Sequence, residues 1–343
     1  MAKDLIRIVV AGVPRSYQQT YPDGTWLTPE QQARIKAISP RIDLVHTSRT
    51  EIRDKGAPPA PADILMVESS GRNEYGEELP YDAFEKLVTP QLKWLQACSS
   101  GVGHILELGL LAPEVVLTSA GGIHAAALGE SVMAAILMWA KRLEQRRLDQ
   151  DQQVWRELHC MELRGKTLCV IGAGHIGQAI ASRAAPFGLR IIGVRRSRLP
   201  GNGFHETFAT RDLNEAVREA DFVVVACPLT DETRSLIGAE AITHMKRGAY
   251  LINIARGLIL DDEAVLDALR SGHLGGAFLD AFHPEPLPSD HPYWTTPNVT
   301  VTPHDSHSSE YIGENMADLF CRNLERWLDG EPLLNLVDRE RGY

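Results

Sequence analysis

The run LCVIGAGHIGQAIASRAA, residues 168–185, sets Gly172, Gly174 and Gly177 between an apolar stretch and a helical one. That spacing suits one task, holding the pyrophosphate of a dinucleotide. The first glycine permits a tight turn, and the second lets the phosphates approach the main chain. The third lets the following helix pack closely on the strand. His175 and Ile176 fall on the first helical turn, where free N–H groups and the helix dipole favour negative charge. A turn with no ligand is the duller reading of such a pattern, and the strand–turn–helix context speaks against it.

The next apolar run, RIIGVRRSR at 190–198, bears on which dinucleotide is bound. An acidic residue about 20 positions beyond the turn would hold the ribose 2′-hydroxyl of NAD. Arg195, Arg196 and Arg198, with Ser197 among them, occupy that stretch instead. Guanidinium groups suit a 2′-phosphate through charge-assisted hydrogen bonds, so NADP is expected to be preferred, with NAD as the alternative. The plainer reading of the same residues is a solvated basic loop.

Elements of a particular kind must carry these groups. From Leu168 onward the runs LCVIG, RIIGV, FVVVA, YLINI, GAFLD and VTVT alternate with helical stretches such as 212–219 and 261–270. Short apolar runs separated by helices predict parallel strands covered on both faces, hence a doubly wound α/β domain. A looser alternation over the first 120 residues predicts a second α/β layer: LIRIVV, a helix starting near Thr28, IDLVH, DILMV, helix 81–88, LKWLQA and VVLTS. Residues 124–148 carry apolar side chains at helical spacing and end in charges, which points to a helix at a domain or subunit boundary. A closing amphipathic helix is expected over 315–328, returning to the N-terminal part.

The chain has 343 residues, enough for two domains of ordinary size. Its formal charge of −10 gives no basic block for phosphate backbones, so a nucleic-acid partner is not expected. Asp4 and Arg7 interrupt what would have to be a signal core. The apolar stretch 124–140 contains Glu130 and falls short of the roughly 20 apolar residues of a membrane span. Cysteines 98, 160, 169, 227 and 321 show no paired short spacing, which fits unpaired thiols and a cytoplasmic location.

Three further blocks follow in order: CPLTDETRSLIG at 227–238, MKRGAYLINIARGLILDDEAVLDALRSGHLGGAFLDAFHPEP at 245–286, and NVTVTPH at 298–304. With the glycine-rich turn, they resemble the signature blocks of the D-isomer-specific 2-hydroxyacid dehydrogenases, and the likeness runs through nearly the whole chain. The glyoxylate/hydroxypyruvate reductases and phosphoglycerate dehydrogenases of that family are similar to it. The resemblance implies two doubly wound parallel-sheet domains. A Rossmann cofactor domain at 123–304 would be inserted into a discontinuous flavodoxin-like substrate domain made of 1–122 and 305–343. It also implies a homodimer.

It further implies roles for particular residues. Arg256, in the N-x-[AS]-R-G block, would grip the carboxylate and carbonyl of a 2-keto acid. His304 would be the proton donor and acceptor, and Glu285 its partner. Asp280 would hydrogen-bond the nicotinamide carboxamide, with Pro228, Thr233 and Ile254 lining the cofactor. The backbone of Ser100, Gly101, Val102 and Gly103 would help to bind the carboxylate. Elementary chemistry asks for the same set. Hydride transfer to a keto carbon leaves negative charge on oxygen, so a nearby cation and a proton donor lower the barrier. A carboxylate at hydrogen-bond distance favours the imidazolium form of the donor. Taken singly, Arg256 reads as a surface ion pair, Glu285 as a solvated loop acid and His304 as one histidine of 12.

The chain departs from the family in Asp305-Ser306-His307, where small or apolar residues are more usual, so a polar rim to the site is expected. His304, His307 and Asp305 lack the accompanying Cys/His spacing of a metal site, and no metal is expected. The polar stretch Glu68–Leu79 is a candidate for substrate selectivity. Formate dehydrogenases place glutamine at the position of Glu285. Two competing readings stay open: phosphite oxidation by the Arg–Glu–His set, and a nucleotide-sensing corepressor on the same fold.

Overall fold

A computed structural model of the chain describes residues 5–11, 27–47, 61–67, 81–196 and 202–342. Glu68–Leu79, Ser197 and Arg198, singled out above, lie outside these residues. The chain divides into two compact units, Met1–Ile123 with Ser309–Tyr343, and His124–Ser308. Within the second unit the amides of Asp305 and Ser306 bind the Asp280 carboxylate.

In the first unit, β1 (Ile6–Ala11), β2 (Ile42–Thr47), β3 (Ile64–Val67), β4 (Trp94–Ala97) and β5 (Val116–Thr118) form a parallel sheet in the order β2-β1-β3-β4-β5. This is the flavodoxin-like order. The helix Pro29–Ile38 starts where Thr28 closes a capping box: Thr28 Oγ1 accepts from the Gln31 amide, and Gln31 Oε1 accepts from the Thr28 amide. The closing helix, Ile312–Asp329, turns Met316, Phe320 and Leu324 into the core formed by Ile6, Ile8 and Trp94. Trp94 and Phe320 stack at 5.3 Å. Burying each such side chain contributes about 1.5–3 kcal/mol, which fastens the end of the chain to its first strands.

The second unit holds β6 (Thr167–Ile171), β7 (Arg190–Arg195), β8 (Glu206–Ala209), β9 (Phe222–Val225), β10 (Ala249–Asn253), β11 (Leu274–Leu279) and β12 (Val299–Val301). All pair in parallel, in the order β12-β11-β10-β9-β6-β7-β8. The strand order reverses between β6 and β9, so this is a Rossmann sheet with its switch point there. Every residue of β6, β9 and β10 is buried, as the unbroken apolar runs require. The sequence pattern does not mark β8, because Glu206 and Thr207 interrupt its apolar character; pairing with β7 makes it a strand.

Residues 124–148 are not one helix. Arg142 takes a left-handed φ of 55° and separates Ala125–Ala140 from Leu143–Asp151. Val132, Ile136 and Ala140 are buried against Val170, Ile180 and Ile252, so the apolar face of the first helix is spent on the core of its own unit. No helix among the described residues is long and apolar enough to cross a membrane.

Candidate active site

Parallel pairing brings the carboxyl ends of all seven strands of the second unit to one edge of the sheet, and the candidate residues follow those ends. Gly172 comes directly after β6, Arg195 ends β7, Cys227 and Pro228 follow β9, Arg256 follows β10, Asp280 follows β11 and His304 follows β12.

The turn after β6 leaves little choice of residue. Gly172 has a φ of +111°, and a Cβ there would lie 2.5 Å from the carbonyl carbon of Ala226. A Cβ on Gly177 would lie 2.1 Å from the Gly172 carbonyl oxygen. Gly174 is different, for a Cβ on it would meet nothing within 4 Å. It opens the helix His175–Ala184 on free space, which is the cradle a pyrophosphate needs. In the loop after β9, Thr233 Oγ1 donates to the Pro228 carbonyl at 2.7 Å and accepts from the Thr230 amide, folding the loop into a turn. Burial pushes the Cys227 thiol up to about 11, so it stays protonated. Arg195 is half-buried and Arg196 is exposed.

Arg256 is presented by a turn clamped from below. Asn253, fully buried, accepts from the Ala255 amide and donates to the carbonyls of Arg256 and Ala281. One guanidinium nitrogen of Arg256 donates to the Ala255 carbonyl at 2.7 Å. Burial draws the Arg256 guanidinium below its ordinary value, and the Glu285 carboxylate opposes that drop. The residue as a whole still keeps solvent-exposed surface. It therefore stays a cation, with donors left to bind an anion.

His304 Nδ1 lies 3.0 Å from both carboxylate oxygens of Glu285, and Glu285 Oε1 also accepts from the Phe282 amide. Desolvation pushes the Glu285 carboxyl up. The hydrogen bonds from His304 and Phe282, with the charges of His304 and Arg256, outweigh it and leave the group below the usual carboxylate range. An ionised carboxylate can only accept, so the proton at this contact sits on His304 Nδ1. Nε2 is then the nitrogen that gains and loses a proton.

Asp280 is buried. Its Oδ1 accepts from Thr302 Oγ1, the Asp305 amide and the Ser306 amide, whereas Oδ2 is buried without a partner among the described residues. A buried carboxylate oxygen left unsatisfied is costly, and a ligand N–H would relieve it. With the open cradle at Gly174, this orphan acceptor fits a nicotinamide dinucleotide. His307 stands edge-on to His304 at 6.3 Å and to His124 at 5.1 Å. Among the described residues no group of three or more His, Cys, Asp or Glu is arranged to hold a metal ion.

In the first unit, Ser100 to Gly103 follow β4. Ser99 Oγ donates to the Gly101 carbonyl and Ser100 Oγ to the Ala120 carbonyl, Val102 is buried, and Gly103 opens a short helix. Sequence reasoning missed three contributors. Asn253 and Thr302 stand in blocks already recognised, as the first residues of N-x-[AS]-R-G and T-P-H, so their signal was present. His124 lies far along the chain from His307, and nothing local marks it.

A sequence profile of the D-isomer specific 2-hydroxyacid dehydrogenase family, NAD binding domain, matches residues 133–306. A glyoxylate reductase of Thermofilum pendens is 34% identical over 264 residues, 73% of this chain and 76% of that protein. Among solved structures, a D-isomer specific 2-hydroxyacid dehydrogenase family protein from Aeromonas salmonicida is similar with a TM-score of 0.78 and 30% identity, over 98% of this chain and 100% of that one. An NADPH-dependent glyoxylate/hydroxypyruvate reductase from Sinorhizobium meliloti, solved with NADP and sulfate, is similar with a TM-score of 0.77 and 26% identity, over 98% and 100%. The two parallel sheets and the strand-end site define an NAD(P)-binding oxidoreductase. The chain belongs to the D-isomer specific 2-hydroxyacid dehydrogenase family.

Proposed function

We propose that this protein reduces a 2-keto acid to the D-2-hydroxy acid, with NADPH preferred over NADH. The observation that carries the reading is the seating of His304 Nδ1 on both oxygens of Glu285, at the strand-end edge that also presents Arg256. The dinucleotide would be held by Gly172, Gly174, His175, Ile176 and Gly177 at its pyrophosphate. Arg195, Arg196 and Ser197 would hold it at its 2′-phosphate, and Pro228, Thr233, Ile254 and Asp280 around its nicotinamide half. When bound and reduced, the nicotinamide supplies the hydride for C2.

The residues of the chain do the rest. Arg256 pairs with the substrate carboxylate and carbonyl and stabilises the charge that develops on oxygen. His304 delivers its Nε2 proton to that oxygen and is left neutral with Nδ1–H still on Glu285. In the oxidative direction the same nitrogen takes the proton back. The unit formed by both chain ends is the substrate domain in this reading, with Ser100 to Gly103 as its candidate substrate-binding segment. Small acids such as glyoxylate and hydroxypyruvate are the first substrates to try. That choice is supported by the names of the similar reductases from Thermofilum pendens and Sinorhizobium meliloti.

A cytoplasmic homodimer belongs to the same reading. Its described cysteines form no disulfide, and Trp155 is fully exposed with Leu143, Leu148 and Val154 also open to solvent on neighbouring chain of the second unit. Clustered exposed apolar side chains mark surfaces that associate. The decisive experiment is a panel of 2-keto acids assayed with NADPH and with NADH. Turnover with NADPH at ordinary enzyme rates is expected. No turnover of any 2-keto acid, with either nucleotide bound, would overturn the proposal.

A further inference from the structure

Arg256 and His304 act on one carbonyl oxygen in the proposed reduction, so the chain segments that set them must keep a fixed spacing. Arg256 leads the segment 256–262, which runs from the end of β10 into the helix Asp262–Arg270. Glu285, which seats His304, lies in the loop 282–293 after β11. Residues 283–286 of that loop are exposed, so burial among core side chains does not fix Glu285. Its place depends on how the ends of the loop are held.

Both ends rest on the segment that carries Arg256. At the near end, Gly257 packs directly on the main chain of Phe282 and His283: a Cβ on Gly257 would lie 2.1 Å from the Phe282 carbonyl carbon and 2.5 Å from the His283 nitrogen. Main chain meets main chain there, with no side chain between them to yield. The Phe282 amide then donates to Glu285 Oε1 at 2.9 Å. At the far end, Tyr293 Oη donates to Asp262 Oδ1 at 2.9 Å. Tyr293 is 1% exposed, and its ring lies 6.2 Å from the Phe282 ring, which closes the two ends of the loop on each other. The Trp294 indole N–H and the His291 amide both donate to the Pro288 carbonyl, tying the chain before Tyr293 to the chain after it.

We propose that Tyr293, anchored through its hydroxyl on Asp262, is a positioning residue for Glu285, and that this anchor and the Gly257 contact hold the Arg256 turn and the Glu285–His304 pair in register. The hydroxyl has a task beyond packing. A phenylalanine would fill the same volume in the core, whereas a buried phenol needs a partner, and the partner here is a side chain of the Arg256 segment. Without that bond the far end of the loop is free to shift, and Glu285 shifts with it. Displacing a catalytic group by about 1 Å costs up to about 10²-fold in rate. The kinetic half of this inference rests on the proposed reduction of a 2-keto acid, whereas the seating of His304 on Glu285 does not.

The test therefore has two arms. The first is steady-state reduction with the best 2-keto acid. Tyr293→Phe should lower kcat about tenfold, with KM and the NADPH dissociation constant changed by less than about twofold. Asp262→Ala should match it, and Asp262→Asn, which retains an acceptor for the hydroxyl, should recover most of the loss. The double variant Tyr293→Phe with Asp262→Ala should be no worse than either change alone, because both release one hydrogen bond. In a Glu285→Ala background the hold on His304 is already gone, so Tyr293→Phe should cost less than about twofold further. A role in core packing alone would cost as much there as in the wild type.

The second arm is ¹⁵N NMR of the histidine rings in the full chain without substrate, which reads the tautomer of neutral His304. The wild type is expected to show His304 protonated at Nδ1, the nitrogen seated on Glu285. Tyr293→Phe should show a mixture of the two tautomers, and Asp262→Asn should keep the wild-type signal. If Tyr293→Phe does not fold, Asp262→Ala carries both arms. A wild-type kcat or a wild-type tautomer in Tyr293→Phe and Asp262→Ala would overturn the anchor, as would an undiminished Tyr293→Phe loss in the Glu285→Ala background. If the wild type turns over no 2-keto acid, the reaction is refuted, and the NMR arm still decides the anchor.

Discussion

His304 Nδ1 stands 3.0 Å from each carboxylate oxygen of Glu285, so the imidazole is held by a two-point contact that leaves Nε2 alone to exchange protons. Removing the negative charge without changing the shape should loosen this two-point hold on the ring. Glu285→Gln is expected to lower kcat for reduction about tenfold or more with KM for the 2-keto acid little changed. His304→Ala should lose about 10²- to 10⁴-fold at every pH, the range of general acid–base catalysis. Both are read from pH profiles of initial rate, with a deuterium isotope effect to confirm that chemistry limits the rate.

Arg256 offers a planar fork that an ammonium cannot reproduce. For Arg256→Lys, kcat/KM for 2-keto acids should fall by about 10²-fold or more, while the dissociation constant for NADPH stays near the wild-type value. Nucleotide fluorescence titration and steady-state kinetics separate the two effects. Near-native turnover would remove Arg256 from the chemistry.

The glycine-rich turn separates fold from binding within a single motif. Gly177→Ala forces a Cβ to within 2.1 Å of a main-chain oxygen and should destabilise the unit outright. Gly174→Ala meets nothing within 4 Å, so its thermal midpoint without nucleotide should match the wild type while its nucleotide affinity falls about tenfold or more. A Gly174→Ala chain that binds nucleotide normally would show that the cradle is not where the pyrophosphate lies.

Arg195 ends β7 at the position where an acidic residue would select NAD. Arg195→Asp puts a negative charge near the 2′-phosphate and should reduce the NADPH-to-NADH ratio of kcat/KM by about tenfold or more. Equal use of both nucleotides by the wild type would refute the expected preference.

His124 ties stability to pH. Burial, and secondly the charge of His307, push its pKa from 6.5 down to about 4. The folded chain then binds fewer protons than the unfolded chain between those values. The stabilisation is complete above about pH 6.5 and declines as pH falls toward 4, by roughly 3 kcal/mol at most. His124→Leu should flatten that part of the profile, measured as thermal midpoint between pH 4 and 7. An unchanged slope would mean that His124 is not the group that titrates.

Much of this protein was legible in its residue order. The alternation of apolar runs and helical stretches set two layers of parallel sheet, because strands buried on both faces must be apolar throughout. The glycines at 172, 174 and 177 announced their turn because steric limits on the main chain act between near neighbours. Arg256, Glu285 and His304 were recognisable through the blocks that contain them. Arg142 was not: only the left-handed backbone there splits the segment 124–148 in two, and the packing of its first helix on the core of its own unit took the apolar face that the sequence pointed toward a boundary. Tertiary structure alone decided that Asp280 keeps one oxygen satisfied and one buried with no partner among the described residues, that Asn253 clamps the turn beneath Arg256, and that His124 comes to rest against His307. These are relations across the fold. They depend on which strand ends are neighbours and on what each side chain meets there, and a linear pattern does not encode such contacts between residues far apart along the chain.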